Sequence, residues 1–170
     1  MEIERTVTLN APSEQVWDLL ARRFHAVGEW ASVINASSAL STRNGPTKVA
    51  DRVCDTPDGI FKEQMTRFDE DRRTFSYLAY EGLPGFVRQG GNTWSVRELG
   101  SGRSEVHMHM KFDLNPIADV LMGWMMKRQM AKAADSVLDD LKVYAETGKV
   151  SERKRNALAK YHAKQARKAA

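Results

Sequence analysis

With 170 residues, 42% of them hydrophobic and 28% charged, the chain has room for one domain with a full core plus a short appendage, and its balance excludes a disordered or fibrous class. One cysteine, Cys54, excludes an internal disulfide and suits a reducing, cytoplasmic setting, while Lys127 and Arg128 cut the longest apolar run far short of a membrane span. Net charge is +4, but eight basic residues against Glu152 alone put +7 on residues 149–170 and leave −3 on residues 1–148, so the basic character belongs to the tail.

Glu2 to Leu9 alternates Ile3, Arg5, Val7 and Leu9 with Glu4, Thr6 and Thr8, which predicts a strand and has no signal-peptide core. Asn10-Ala11-Pro12 breaks it. Ser13 is placed to cap a helix whose Val16, Trp17, Leu19 and Leu20 face inward, and a second short helical piece follows from Phe24 to Trp30. Strands and tight turns then take over. Ala36–Arg43 is a weak strand closed by a turn at Asn44-Gly45-Pro46, and Lys48–Asp55 leads to a hairpin at Asp58-Gly59. Ile60–Asp69 and Arg72–Glu81 pair around Glu70-Asp71; Phe86–Leu99 and Arg103–Leu114 pair around Gly100-Ser101-Gly102. On the last strand Val106, Met108, Met110 and Phe112 alternate with His107, His109 and Lys111, so the histidines should face solvent.

The stretch from Asn115 to Gly148 is the longest periodic segment. Asn115 is a good N-cap, Pro116 suits the first helical position, and Gly148 can take the left-handed conformation that ends a helix. Ile117, Val120, Leu121, Trp124, Ala131, Ala134, Val137, Leu138, Leu141 and Ala145 recur at helical spacing and predict one apolar stripe packed on the sheet, with Arg128 off it. Met122, Met125, Met126 and Met130 on the helix, with Met108 and Met110 on the last strand, make an adaptable lining. Residues 1–148 thus read as one α+β domain, with seven antiparallel strands, two short helices between strands 1 and 2, and a long C-terminal helix. Residues 149–170 read as a basic, partly helical or disordered extension too poor in apolar residues to bury a face.

Order and residues together resemble the START-like, or SRPBCC, superfamily of helix-grip proteins, which includes Bet v 1-like proteins and the polyketide cyclase/dehydrase and lipid-transport group. The resemblance covers residues 1–148. It rests on Asn10-Ala11-Pro12-Ser13 with Val16-Trp17, Trp30, Arg52, Glu63, Asp69, Arg72-Arg73, Tyr77, Trp94-Ser95-Val96, and Leu138, Leu141, Tyr144 and Gly148 in that order. It implies a curved sheet gripping the last helix, with a hydrophobic cavity between them. Fold alone leaves the substrate open.

A two-residue turn at Asp58-Gly59 places Arg52 opposite Met65 and makes Glu63 its diagonal neighbour on the same face. Strand parity allows that face to be either inner or outer; the resemblance puts it inside. An even loop at Glu70-Asp71 would give Leu78 the face of Glu63, whereas a bulge would bring Phe75 and Tyr77 inside, and the bulge is the expectation adopted. Asn92 and Trp94 share one face of the sixth strand, taken as inward. The expected ligand-binding set is therefore Trp30, Arg52, Glu63, Met65, Phe75 and Tyr77, then Asn92, Trp94, Met108 and Met110, and on the helix Leu121, Trp124 and Met125.

The function expected first is binding or transport of a small hydrophobic molecule or lipid. An alternative is a polyketide cyclase or aromatase, with Glu63 as base and Tyr77 as acid the only candidates for catalysis. A second alternative is a ribosome- or RNA-associated protein acting through the basic tail, which could equally meet an anionic membrane surface. The four histidines are scattered and no second cysteine or carboxylate stands at ligand spacing, so neither a metal nor a cofactor is expected.

Overall fold

In the computed structural model, residues 1–40 and 46–169 are described. Seven strands, β1 (Glu2–Leu9), β2 (Ala36–Ala39), β3 (Arg52–Thr56), β4 (Gly59–Asp69), β5 (Thr74–Glu81), β6 (Val87–Gly100) and β7 (Arg103–Leu114), form one antiparallel sheet in the order β1-β7-β6-β5-β4-β3-β2. Between β1 and β2 lie α1 (Ser13–Trp17), prolonged by a π turn over Asp18–Arg22, and a 3-10 helix over Phe24–Glu29. The long helix α2 (Pro116–Thr147) and a further helix α3 (Glu152–Ala169) follow the last strand. This is the α+β helix-grip architecture, a curved sheet around a long helix. The strand expected over Ala36–Arg43 is seen as β2 only to Ala39, and residues 41–45, with the turn expected at Asn44-Gly45, lie outside the described residues.

Local chemistry explains most boundaries. Asn115 accepts from the Ala118 N–H at 2.8 Å through its side chain, Pro116 occupies the first turn, and Gly148 at φ 68° closes α2. Ser101 and Gly102, both at positive φ (54° and 71°), make the tight turn that pairs Gly100 with Arg103. Ser13 departs from its expected role. It is the first helical residue rather than the cap, it is buried, and its hydroxyl donates to Glu98 at 3.1 Å.

Two registers decide what faces inward. The β3–β4 turn is Pro57-Asp58, not Asp58-Gly59: Thr56 pairs with Gly59, so Arg52 stands directly opposite Glu63 and not opposite Met65. The glycine takes φ 147° as the first residue of β4, which shifts the pairing by two residues from the expected one. Between β4 and β5 the register slips at Thr66, so Met65 pairs with Tyr77 while Phe68 pairs with Phe75. That bulge turns Phe75 and Tyr77 toward the concave face with Met65 and Glu63.

The core gathers Leu9, Val16, Trp17, Phe24, Met65, Phe75, Val106 and Met108 with Ala134, Leu138 and Leu141 of α2. Among the described residues, polar ties to the rest of the domain hold only the C-terminal half of α2. Arg5 bonds Asp135 at 2.6 Å, Lys142 donates to the Thr8 carbonyl, and Glu146 accepts from the Asn10 N–H. The single stripe expected along α2 is corrected in its first half, where Ile117, Val120, Leu121 and Trp124 are 71–84% exposed. The inward side there carries Ala118, Met122, Gly123, Met126 and Met130 instead.

The tail is a helix exposed over most of its length but tied to the domain along one side. Lys154 is fully buried and donates its Nζ to the Ile34 carbonyl at 2.6 Å, and the Tyr161 hydroxyl reaches Asp55 at 3.1 Å. Lys154, Ala157, Leu158 and Tyr161 fall three and four apart, which gives α3 a docking side although its composition is polar. The buried Asp140 of α2 joins this region: it accepts from the Ser151 hydroxyl at 2.5 Å and from the Ser32 N–H at 2.8 Å.

Candidate functional site

Arg52 on β3 and Glu63 on β4 meet inside the sheet, with Nε to Oε2 at 2.6 Å and side chains only 7% and 16% exposed. The guanidinium also donates to the Phe24 carbonyl at 2.7 Å and lies 3.8 Å from the Phe24 ring centre and 4.8 Å from that of Tyr77. A charge taken this far from water needs such partners. Burial works against the arginine's charge, but Glu63, with Tyr77 and Cys54 beside it, outweighs that and holds the group above its ordinary range. Cys54, on the same face, donates to Glu63 at 3.4 Å; burial pushes its thiol up to about 12, opposed by the Arg52 charge and aided by that of Glu63.

Around this pair the 3-10 helix, the loop after it, strands β5 to β7 and the middle of α2 enclose a pocket of about 140 Å³. Aromatic rings build one wall: Phe75 stacks on Trp94 with planes 1° apart, and Phe24 tilts against Tyr77 at 5.2 Å. Asn92 donates to the Tyr77 hydroxyl at 3.4 Å. Burial, and then the Glu63 charge, raise the phenol above its usual range, so it stays protonated at neutral pH. The pocket continues into a wider groove of about 350 Å³ between Val33-Ile34, the β3–β4 turn, Leu83 and Gln129-Met130 of α2.

Of the residues expected to bind, Trp30, Arg52, Glu63, Phe75, Tyr77, Asn92, Trp94, Met108 and Met110 line the pocket. Met65 lies in the closed core beneath it, fully buried, and is not part of the lining. Leu121, Trp124 and Met125 are placed wrongly by the sequence reading, for they are 71%, 71% and 49% exposed on the outer side of α2. The helix presents Ala133, Ala134 and Val137 to the pocket and Met130 to the groove. Sequence reasoning also missed Phe24, Val27, Val33 and Ile34 as lining residues. Their signal was the apolar content of the 3-10 helix and of the loop that leaves it. His107 and His109 lie on the other face of the sheet, beside Glu4 and Glu2. Among the described residues no group of three His, Cys, Asp or Glu could hold a metal, and no helix is long and apolar enough to cross a membrane.

The sequence profile of the polyketide cyclase / dehydrase and lipid transport family matches residues 1–146. A search of curated proteins gives no match. Similar solved structures include protein XoxI from Bacillus cereus, 20% identical with a TM-score of 0.68 over 85% of this chain and 94% of that one. Ara h 8.0201 is 12% identical with a TM-score of 0.63, over 85% of this chain and 97% of its own. The di-domain ARO/CYC BexL from the BE-7585A biosynthetic pathway is 16% identical with a TM-score of 0.65; the match covers 84% of this chain and 45% of BexL. At such identities these likenesses carry the fold alone.

Proposed function

The chain belongs to the polyketide cyclase / dehydrase and lipid transport family, and from that membership we propose that it binds a small hydrophobic molecule or lipid between sheet and α2 without transforming it. The observation that carries this reading is the composition of the pocket wall. It is mainly aromatic and aliphatic, with Asn92 and the Tyr77 hydroxyl as its neutral polar groups, and its ion pair, Arg52 with Glu63, is internally compensated. Such a wall takes up an apolar body and offers a few fixed polar groups for orientation. An uncharged environment-sensitive dye should bind with a dissociation constant of micromolar order, roughly −8 kcal/mol. Met108→Trp, which fills the pocket from β7, should weaken binding at least tenfold while the far-ultraviolet spectrum stays native. Failure of the folded wild-type chain to take up the dye would end the proposal.

A second reading, ring closure of a linear polyketone, rests on the presence of Glu63 and Tyr77 in one pocket. Less supports it. The candidate base already accepts from Arg52 and Cys54, and the Cys54 thiol beside it is held protonated by burial, which makes it a poor nucleophile. Incubation with linear polyketone mimics should show no acceleration of cyclisation; turnover lost in Glu63→Gln or Tyr77→Phe would favour the enzyme.

A further inference from the structure

The first turns of α2 carry an apolar side that packs on nothing in the domain. Ile117, Val120, Leu121 and Trp124 are 71–84% exposed and Met125 is 49% exposed, all within nine residues. Their three- and four-residue spacing joins them into one face, turned away from the inward side of Met122, Gly123 and Met126. Apolar residues scattered singly over a surface are ordinary, whereas a contiguous patch marks an interaction site. Charge indicates what covers it. Arg128 continues the line of Ile117, Leu121 and Trp124 by one more turn, Lys127 and Lys132 stand on either side of that line, and all three cations are exposed. The acids of this stretch are engaged elsewhere: Asp119 lies against Gly123 on the inward side, and Asp135 is bonded to Arg5.

We propose that the protein docks on an anionic membrane surface through this face of α2, with Leu121 and Trp124 among the lipid headgroups and Lys127, Arg128 and Lys132 on the phosphates. Large apolar side chains with a tryptophan, bordered by cations, are the composition of a helix that lies in the interface of such a bilayer. The contact is peripheral, since no helix of the described residues is long and apolar enough to cross a membrane. A second copy of the chain fits less well, because it would bring no free acid on this face to meet the three cations. Gln129 and Met130, within a turn of the face, line the groove that leads from the pocket, so docking sets that groove near the lipid. The docking itself does not depend on what the pocket holds.

Trp124 gives the face its own reporter, since Trp17, Trp30 and Trp94 are at most 4% exposed. The test mixes the full chain with vesicles of phosphatidylcholine and phosphatidylglycerol in equal parts, with and without bromine on the acyl chains, and with vesicles of phosphatidylcholine alone. The chain should float with the anionic vesicles, about tenfold more weakly with phosphatidylcholine alone, and brominated chains should quench its tryptophan emission. Trp124→Phe should remove the quenching and leave flotation within about threefold. Leu121→Glu should weaken flotation about tenfold or more while the far-ultraviolet spectrum and the unfolding midpoint stay native. Equal flotation of Leu121→Glu and wild type assigns the attachment to the cations of α3 and overturns the proposal. Quenching as strong in Trp124→Phe as in the wild type puts the brominated chain in the pocket and overturns it too. So does a wild type that floats with neither vesicle, and a dimer in sedimentation that Leu121→Glu dissociates gives the face to a second copy instead.

Discussion

Arg52 and Glu63 show how little a charge pattern in a sequence means until its surroundings are known. The same two residue types on the outer face would resemble Arg97 and Glu105, a pair 68% and 29% exposed, whose contribution should be under about 1 kcal/mol. Inside the sheet, removal of one partner leaves the other charge buried. Glu63→Gln should therefore lower the unfolding free energy by about 3–5 kcal/mol, against less than about 1 kcal/mol for Glu105→Gln. Chemical denaturation of the two variants checks this, and equal small losses would mean the buried pair is not strained by the loss of its anion. The face of the pair could not be read from parity, since strand alternation fixes which residues share a side and not which side is inside. The indole and amide atoms left unpaired at Trp30 and Asn92 were likewise invisible, because satisfaction is a property of neighbours distant in sequence.

Helix α2 was legible in its caps, its length and its C-terminal half. Its first half misled because the largest apolar side chains, Ile117, Leu121 and Trp124, point outward, while smaller or more flexible Ala118, Met122 and Met126 turn in. Leu141→Ala should then cost about 2–5 kcal/mol, as for a filled core position, and Leu121→Ala no more than about 0.5 kcal/mol; thermal unfolding distinguishes them, and comparable losses would reverse the assignment of faces. Helix α3 was expected as a solvated, partly helical tail because its apolar residues are too sparse to bury a face. It docks through Lys154, whose long stem is buried and whose ammonium has only a backbone carbonyl and nearby Asp140 for company. Burial pushes that group down to about 8 from 10.5, with Asp140 opposing. The unfolded chain then binds the proton more tightly than the folded one, so stability should rise as pH goes from about 8 to about 10.5. The rise should be absent in Lys154→Met, and its persistence there would assign it to another group. Because Lys154 and Asp140 hold the Ile34 and Ser32 backbone beside the pocket, a chain ending at Gly148 should bind the pocket probes more weakly. The cations Arg155, Lys160, Lys164 and Arg167 of α3 are exposed, Lys160 and Lys164 along a groove that the helix forms with Val33, Asn35 and Pro57. We predict that they attach the protein to a polyanion with affinity that fades steeply with salt. Flotation with anionic vesicles and filter binding with RNA separate the two candidate surfaces, and full retention by the chain ending at Gly148 would remove the role from the tail.

At the scale of the whole molecule, sheet, short helices and α2 converge on one pocket, so a ligand bound there should stabilise the fold as a unit. An uncharged dye at a hundredfold excess over its dissociation constant should add about 2.7 kcal/mol and raise the unfolding midpoint, an effect reduced in Met108→Trp. A dye that binds without moving the midpoint would be sitting on the surface, for instance on the exposed apolar side of α2. The sequence by itself determined the order and kind of the elements, since alternation, caps and turn residues act over a few neighbours. Its resemblance to a family added the grip of sheet on helix and the expectation of a pocket. Only the tertiary structure decided the rest. The register at Pro57-Asp58, the bulge at Thr66, the side of α2 that meets the sheet and the docking of α3 each depend on contacts between segments far apart in the chain. A one-residue slip in pairing moves a side chain from pocket to solvent while leaving the local pattern unchanged. For that reason Tyr77 lines the pocket and Met65 lies beneath it, while Trp124 stands in water because α2 turns its other side to the sheet.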